Sequence, residues 1–141
     1  MSERNLELAR KAFEAFADRD LTTLLGMMAD DVEFLPVTAN IATGGLPYRG
    51  PDGIRQYFDD VDRLWAELRV FPEEFRAMSE AVVVALGRIH ARGGGMIIDR
   101  PTGWVWVMRD DKIASGRVCT SHEETLEAAA AIVRRSATEG E

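Results

Sequence analysis

The chain has 141 residues, 46% of them hydrophobic and 29% charged, with a net charge of −7 and one cysteine. That length suits a single domain with a sizeable core, and the composition is that of an ordinary globular protein. The acidic balance argues against nucleic acid and anionic membrane as partners, both of which need a basic footprint. Cys119 stands alone, so no internal disulfide forms. The chain opens without a basic-then-apolar leader and holds no apolar run of membrane-spanning length, so a cytoplasmic location is expected.

In chain order, a helix is predicted from Glu3 to Ala17, with Leu6, Ala9, Phe13 and Phe16 on one stripe. Asp20 is placed to cap a second, short helix whose stripe is Leu21, Leu24, Leu25 and Met28. Val32 to Leu35 reads as a short strand stopped by Pro36. Pro36 to Gly50 reads as a long loop and a candidate lid. Pro51 suits a helix start, and the spacing from Ile54 through Tyr57, Phe58, Val61 and Trp65 to Leu68 predicts the strongest helix of the chain. Arg69 to Met78 follows as a strand, and Pro72 with the acidic pair Glu73-Glu74 argues for an edge position or an irregular start.

Ala81 to Arg92, Met96 to Met108 and Lys112 to Thr120 are three apolar, β-branched runs broken by Gly93 to Gly95 and by the turn at Arg109 to Asp111. With the preceding strand they predict an antiparallel meander of four strands. Ser121 opens a last helix with Glu124 at the capping-box spacing, and a polar tail covers 136–141. One domain is expected over 1–141, ordered from about 3 to 135. The fold class is α+β: a strongly curved, mostly antiparallel sheet with helices on its concave face, enclosing a cone. Trp104 and Trp106 share one face of their strand. Val118 and Thr120 are expected to face the cone, with Cys119 inert on the other side.

The segments DLTTLLGMMADDVEF, YRGPDGIRQYF, VVVALGRIHARGGG, WVWVMRDDKI and SHEETLEAA occur in this order. From about Asn5 to Ala131 the chain resembles the SnoaL-like branch of the nuclear transport factor 2-like superfamily, which includes ketosteroid isomerases, polyketide cyclases and limonene epoxide hydrolases. The resemblance implies the cone fold, a small-molecule pocket and a homodimer through the convex sheet face. It does not carry over the isomerase machinery. Where a ketosteroid isomerase has its aspartate, tyrosine and second acid, this chain has Leu35, Ala12 beside Phe13, and Trp104.

The same alignment turns Glu33 into the cone. There, desolvation by Phe16, Leu35 and the tryptophans would raise its pKa and make it a general base; the alternative is a strand-end residue, hydrated or in a plain ion pair with Arg88 or Arg49. His90 shares a strand face with Arg88 and Arg92. It is the second candidate base if that face is concave, and a half-exposed histidine if it is convex. Phe16, Leu35, Tyr57, Trp104, Trp106, Val118 and Thr120 form the expected ligand wall. Asp99 either reaches the pocket mouth or forms a surface ion pair with Arg88 or Arg92, the second being the expectation, and His122 is expected to lie at the surface. No metal constellation or phosphate loop is present in the sequence, so no cofactor is expected. Three functional readings follow: an isomerase, cyclase or hydratase acting by proton transfer on a largely apolar small molecule; a non-catalytic binder of such a molecule; and a dimeric scaffold with a vestigial cavity.

Overall fold

The structure, a computed structural model, describes residues 2–36 and 38–139. The side chains of residues 2, 40, 41 and 136–139 lie outside that description. The elements run α1 (Ser2–Ala17), α2 (Leu21–Gly26), β1 (Met28–Leu35), α3 (Ala39–Ala42), β2 (Tyr48–Arg49), α4 (Gly50–Leu64), β3 (Glu67–Ala77), β4 (Val82–Gly93), β5 (Met96–Arg109), β6 (Lys112–Cys119) and α5 (His122–Glu139). One curved, open sheet has the order β2-β1-β6-β5-β4-β3. The expected meander is present, with β3 at the edge, and β1 joins it as a parallel neighbour of β6.

Local chemistry sets several of the boundaries. Asp20 accepts from the Thr23 amide at 3.2 Å and from the Thr23 hydroxyl at 2.6 Å, which caps α2. Ser121 Oγ accepts from the Glu124 amide at 3.0 Å at the start of α5. The β5–β6 turn holds Asp110 and Asp111 at φ 54° and 62°, a conformation aspartate tolerates better than most residues. Three boundaries differ from the sequence reading. Met28 begins β1 rather than closing α2. The strongest helix stops at Leu64, so Leu68, although in phase with its stripe, belongs to β3. The last helix runs to Glu139 through most of the expected tail, while residues 140 and 141 lie outside the described residues. The long loop contains α3 and β2.

The sheet is covered on both faces. Helices α1, α2 and α4 close the concave face over a core that includes Phe13, Phe34, Tyr57, Trp104 and Trp106. Helix α5 lies on the other face, over Val82, Val84, Val105 and Cys119. Thr125 of α5 is fully buried and seated against Gly103, where a Cβ would come within 1.8 Å of its Oγ1. His122 is half-buried rather than free at the surface, and its Nε2 donates to the Gly87 carbonyl at 2.9 Å. Among the described residues, no helix is long and apolar enough to cross a membrane.

Candidate functional site

Side-chain parity on β5 and β1 builds much of the concave wall. In β5, Trp104 and Trp106 point inward, and each is flanked by small partners that make room for an indole. Trp104 pairs with Ala85 and Val118, and Trp106 with Val83 and Gly116. In β1 the inward residues are Val32 and Phe34. Phe13 from α1 meets Trp104 edge-on at 5.1 Å and Trp106 edge-on at 5.7 Å. Phe34 stacks on Trp106 at 5.9 Å and meets Tyr57 edge-on at 5.0 Å.

These rings surround a cavity of about 50 Å³. Its wall is completed by aliphatic side chains from α2, α4, β3, β4 and β6, among them Leu24, Ile54, Leu68, Ile89 and Val118. An outer groove of about 500 Å³ lies beyond it and shares Phe16, Leu68 and Val70 as a partition. Arg19 rests its guanidinium 4.2 Å from the centre of the Phe16 ring and donates to the Leu68 carbonyl at 3.1 Å, which ties the end of α1 to the edge strand.

The polar groups among the described wall residues are few: Thr38, Tyr57 and the indole nitrogens of Trp104 and Trp106. Trp65 Nε1 donates to Thr38 Oγ1 at 3.0 Å. Burial pushes the Tyr57 phenol well above its usual range, against the pull of Arg19 and Thr38. It therefore stays a protonated donor at any ordinary pH. Asp60 is buried nearby and lies outside the cavity wall. Burial alone would raise its carboxyl, but hydrogen bonds from Tyr48, Arg63 and Gln56, at 2.7, 2.7 and 2.9 Å, hold it below the usual value. This cluster ties β2 to α4.

Of the expected ligand wall, Phe16, Tyr57, Trp104, Trp106 and Val118 line the cavity. Leu35 is half-buried and packs against the core without lining it. Thr120 is exposed and donates its hydroxyl to Glu124 at 2.8 Å. Glu33 points away from the cone: it is exposed and pairs with Arg49 at 3.4 Å. The reason is the alternation of β1, which buries Val32 and Phe34 and sends Asp31 and Glu33 to water. His90 lies on the convex face with Arg88 and Arg92, because Ile89 and Ala91 take the inner positions. Its ring nitrogens sit 3.3 Å from Glu67 and 3.3 Å from Asp99. Arg88 pairs with Asp99 at 2.9 Å and, with His90, holds that carboxyl below its usual range.

The structure thus keeps both proposed bases out of the cavity and apart from each other. Phe13, Phe34, Thr38 and Ile89 are wall residues that sequence reasoning did not name. The alternation of Val32-Glu33-Phe34 was the available signal for Phe34. Among the described residues no group of three or more His, Cys, Asp or Glu is placed to hold a metal ion.

Three solved structures illustrate the likeness. An NTF2-like protein of unknown function from Burkholderia pseudomallei is 25% identical, over 92% of this chain and 98% of that one, with a TM-score of 0.74. TerC, co-crystallised with polyporic acid, is 24% identical, over 88% and 98%, with a TM-score of 0.72. A Mycobacterium tuberculosis protein in complex with estradiol-17beta-hemisuccinate is 19% identical, over 85% and 95%, with a TM-score of 0.68. Curated proteins yielded no match. The SnoaL-like domain profile matches residues 9–116, well over half of the sequence, and the chain belongs to that family.

Proposed function

We propose that the protein binds a small, neutral, largely apolar molecule in the inner cavity and holds it without proton transfer. The observation that supports this is the wall itself. Among its described residues there is no Asp, Glu, His, Lys or Arg. General acid–base catalysis needs a titratable group within hydrogen-bond reach of the reacting atom. Glu33 and His90 are elsewhere, and the Tyr57 phenol holds its proton. The isomerase, cyclase or hydratase reading therefore has no base among the described wall residues to carry it. The crystals of TerC with polyporic acid and of the mycobacterial protein with its estradiol derivative agree with a ligand-holding use of this fold.

Size sets how the ligand enters. Roughly 150 Å³ admits benzene into an engineered apolar cavity. At about 50 Å³ this one accepts a ligand only when part of its wall gives way. Phe16 is the element placed to do so, since it is half-buried and separates cavity from outer groove.

Titration with toluene tests the reading. Tryptophan emission should change and saturate, and Ile89→Phe, which fills the cavity from β4, should abolish the change. Saturating toluene without any response in the wild type would refute it and favour the scaffold reading. A cytoplasmic location and a homodimer through the convex face belong to the same proposal. Because α5 covers Cys119 and its neighbours there, a second copy would use the strip around Phe71, Arg88 and His90. A single 15.7 kDa species across the micromolar range would exclude the dimer.

A further inference from the structure

Trp106 carries an inference that rests on the binding reading above. It is 6% exposed and lines the cavity. Its Nε1 is the one buried side-chain nitrogen or oxygen among the described residues without a hydrogen-bond partner. Buried indole nitrogens normally find an acceptor, as Trp65 does on Thr38. An unpaired one carries its full desolvation cost.

The ring's orientation is fixed by its neighbours. Its Cε3–Cζ3 edge lies over Gly116. Nε1 is across the indole from that edge, so the N–H is directed away from Gly116. Phe34 covers one face of the ring and Phe13 meets it edge-on, and neither brings an oxygen.

We infer that the ligand has an apolar body and a carbonyl-type oxygen, and that this oxygen accepts a hydrogen bond from Trp106 Nε1. An indole N–H only donates, so the group facing it must accept. With no cationic side chain in the described wall, a carboxylate or phosphate there would be buried without counter-charge. A hydroxyl would bring a hydrogen needing its own acceptor. A carbonyl oxygen satisfies the N–H and leaves nothing further to pair.

Cyclopentanone and methylenecyclopentane test this, since they share shape and differ in C=O against C=CH₂. Both are titrated into ¹⁵N-labelled protein while the indole N–H signals are followed. The ketone should move the Trp106 indole proton downfield and the alkene should not. Trp106→Phe keeps an aromatic ring and removes the donor. It should lower the ratio of alkene to ketone Kd by about tenfold. An unchanged ratio with both probes still binding overturns the inference. So does a Trp106 proton that responds equally to both probes in the wild type, a result that stands even if the variant fails to fold. Failure of both probes to bind the wild type overturns the binding reading itself, and this inference with it.

Discussion

Gly116 is the position where one methyl group separates the stability of the core from the use of the cavity. A Cβ there would stand 2.2 Å from Trp106 Cζ3, 2.6 Å from Cε3 and 3.0 Å from Phe34 Cδ1. The first distance is roughly 1.3 Å short of the ~3.5 Å at which two carbons attract. The indole is rigid and Phe34 is stacked on it, so the two rings shift together, and the open space beside them is the cavity. Gly116→Ala should therefore destabilise the fold by ~1–3 kcal/mol through overpacking. A ligand that needs the cavity would have to push the ring back. A similar ~1–3 kcal/mol then opposes binding, about 5- to 150-fold in Kd. Urea denaturation measures the first effect and toluene titration the second. Gly103→Ala is the control: its methyl would strike Thr125 on the opposite face, under α5. It should cost stability and leave toluene affinity unchanged. If Gly116→Ala is destabilised yet binds toluene as the wild type does, the Trp106 ring does not bound the ligand space and the reasoning fails.

Three further predictions concern the supports of the site. The Asp60 carboxyl sits below its usual value in the fold, so it contributes stability above the unfolded value of about 3.9, and that contribution is lost as pH falls through the native value. Asp60→Asn should cost about 1.5–3 kcal/mol at pH 7 and flatten the acid limb of stability against pH; an acid limb identical to the wild type's would count against this role. Trp65→Phe removes the donor to the buried Thr38 hydroxyl and should cost about 1 kcal/mol in urea denaturation, with faster amide exchange around Thr38. Cys119 is fully buried beneath α5 and burial pushes its thiol up, so a thiol reagent should modify it at the rate of local opening; rapid labelling of the native protein would show that α5 does not cover it.

The meander was legible because its runs are apolar, β-branched and separated by glycines or a polar turn, all of which are local features. Trp104 and Trp106 fell on one face by the strand period alone. Glu33 was misplaced because the family resemblance turned Leu35 inward and Glu33 followed it by parity. Read locally, Val32 and Phe34 bracket Glu33, and burying two apolar side chains outweighs burying one carboxylate. The position of α5 was missed for a different reason. Val82-Val83-Val84-Ala85 is apolar on both faces, the pattern of a strand covered on both sides. A helix on the second face was therefore implied in β4, well before the chain reaches α5.

What the sequence could not distinguish is a cavity from a core. Phe13, Phe34, Trp104 and Trp106 would be chosen for either, since both want large apolar side chains on the inner face. The difference lies in a polar atom left over after packing. Trp65 and Trp106 are both buried tryptophans, and nothing in their flanking residues says that one indole finds Thr38 and the other finds no acceptor among the described residues. That depends on Gly116 making room for the ring from β6, on Phe34 covering it from β1, and on Phe13 reaching it from α1. These three positions are far apart in the chain and meet only once the sheet has curved. A core selected for stability alone has no reason to keep an unpaired donor there, because phenylalanine would fill much of the same space without one. The cost of the indole is offset only when something else supplies the acceptor, and the proposed binding site rests on this leftover N–H more than on the shape of the cavity.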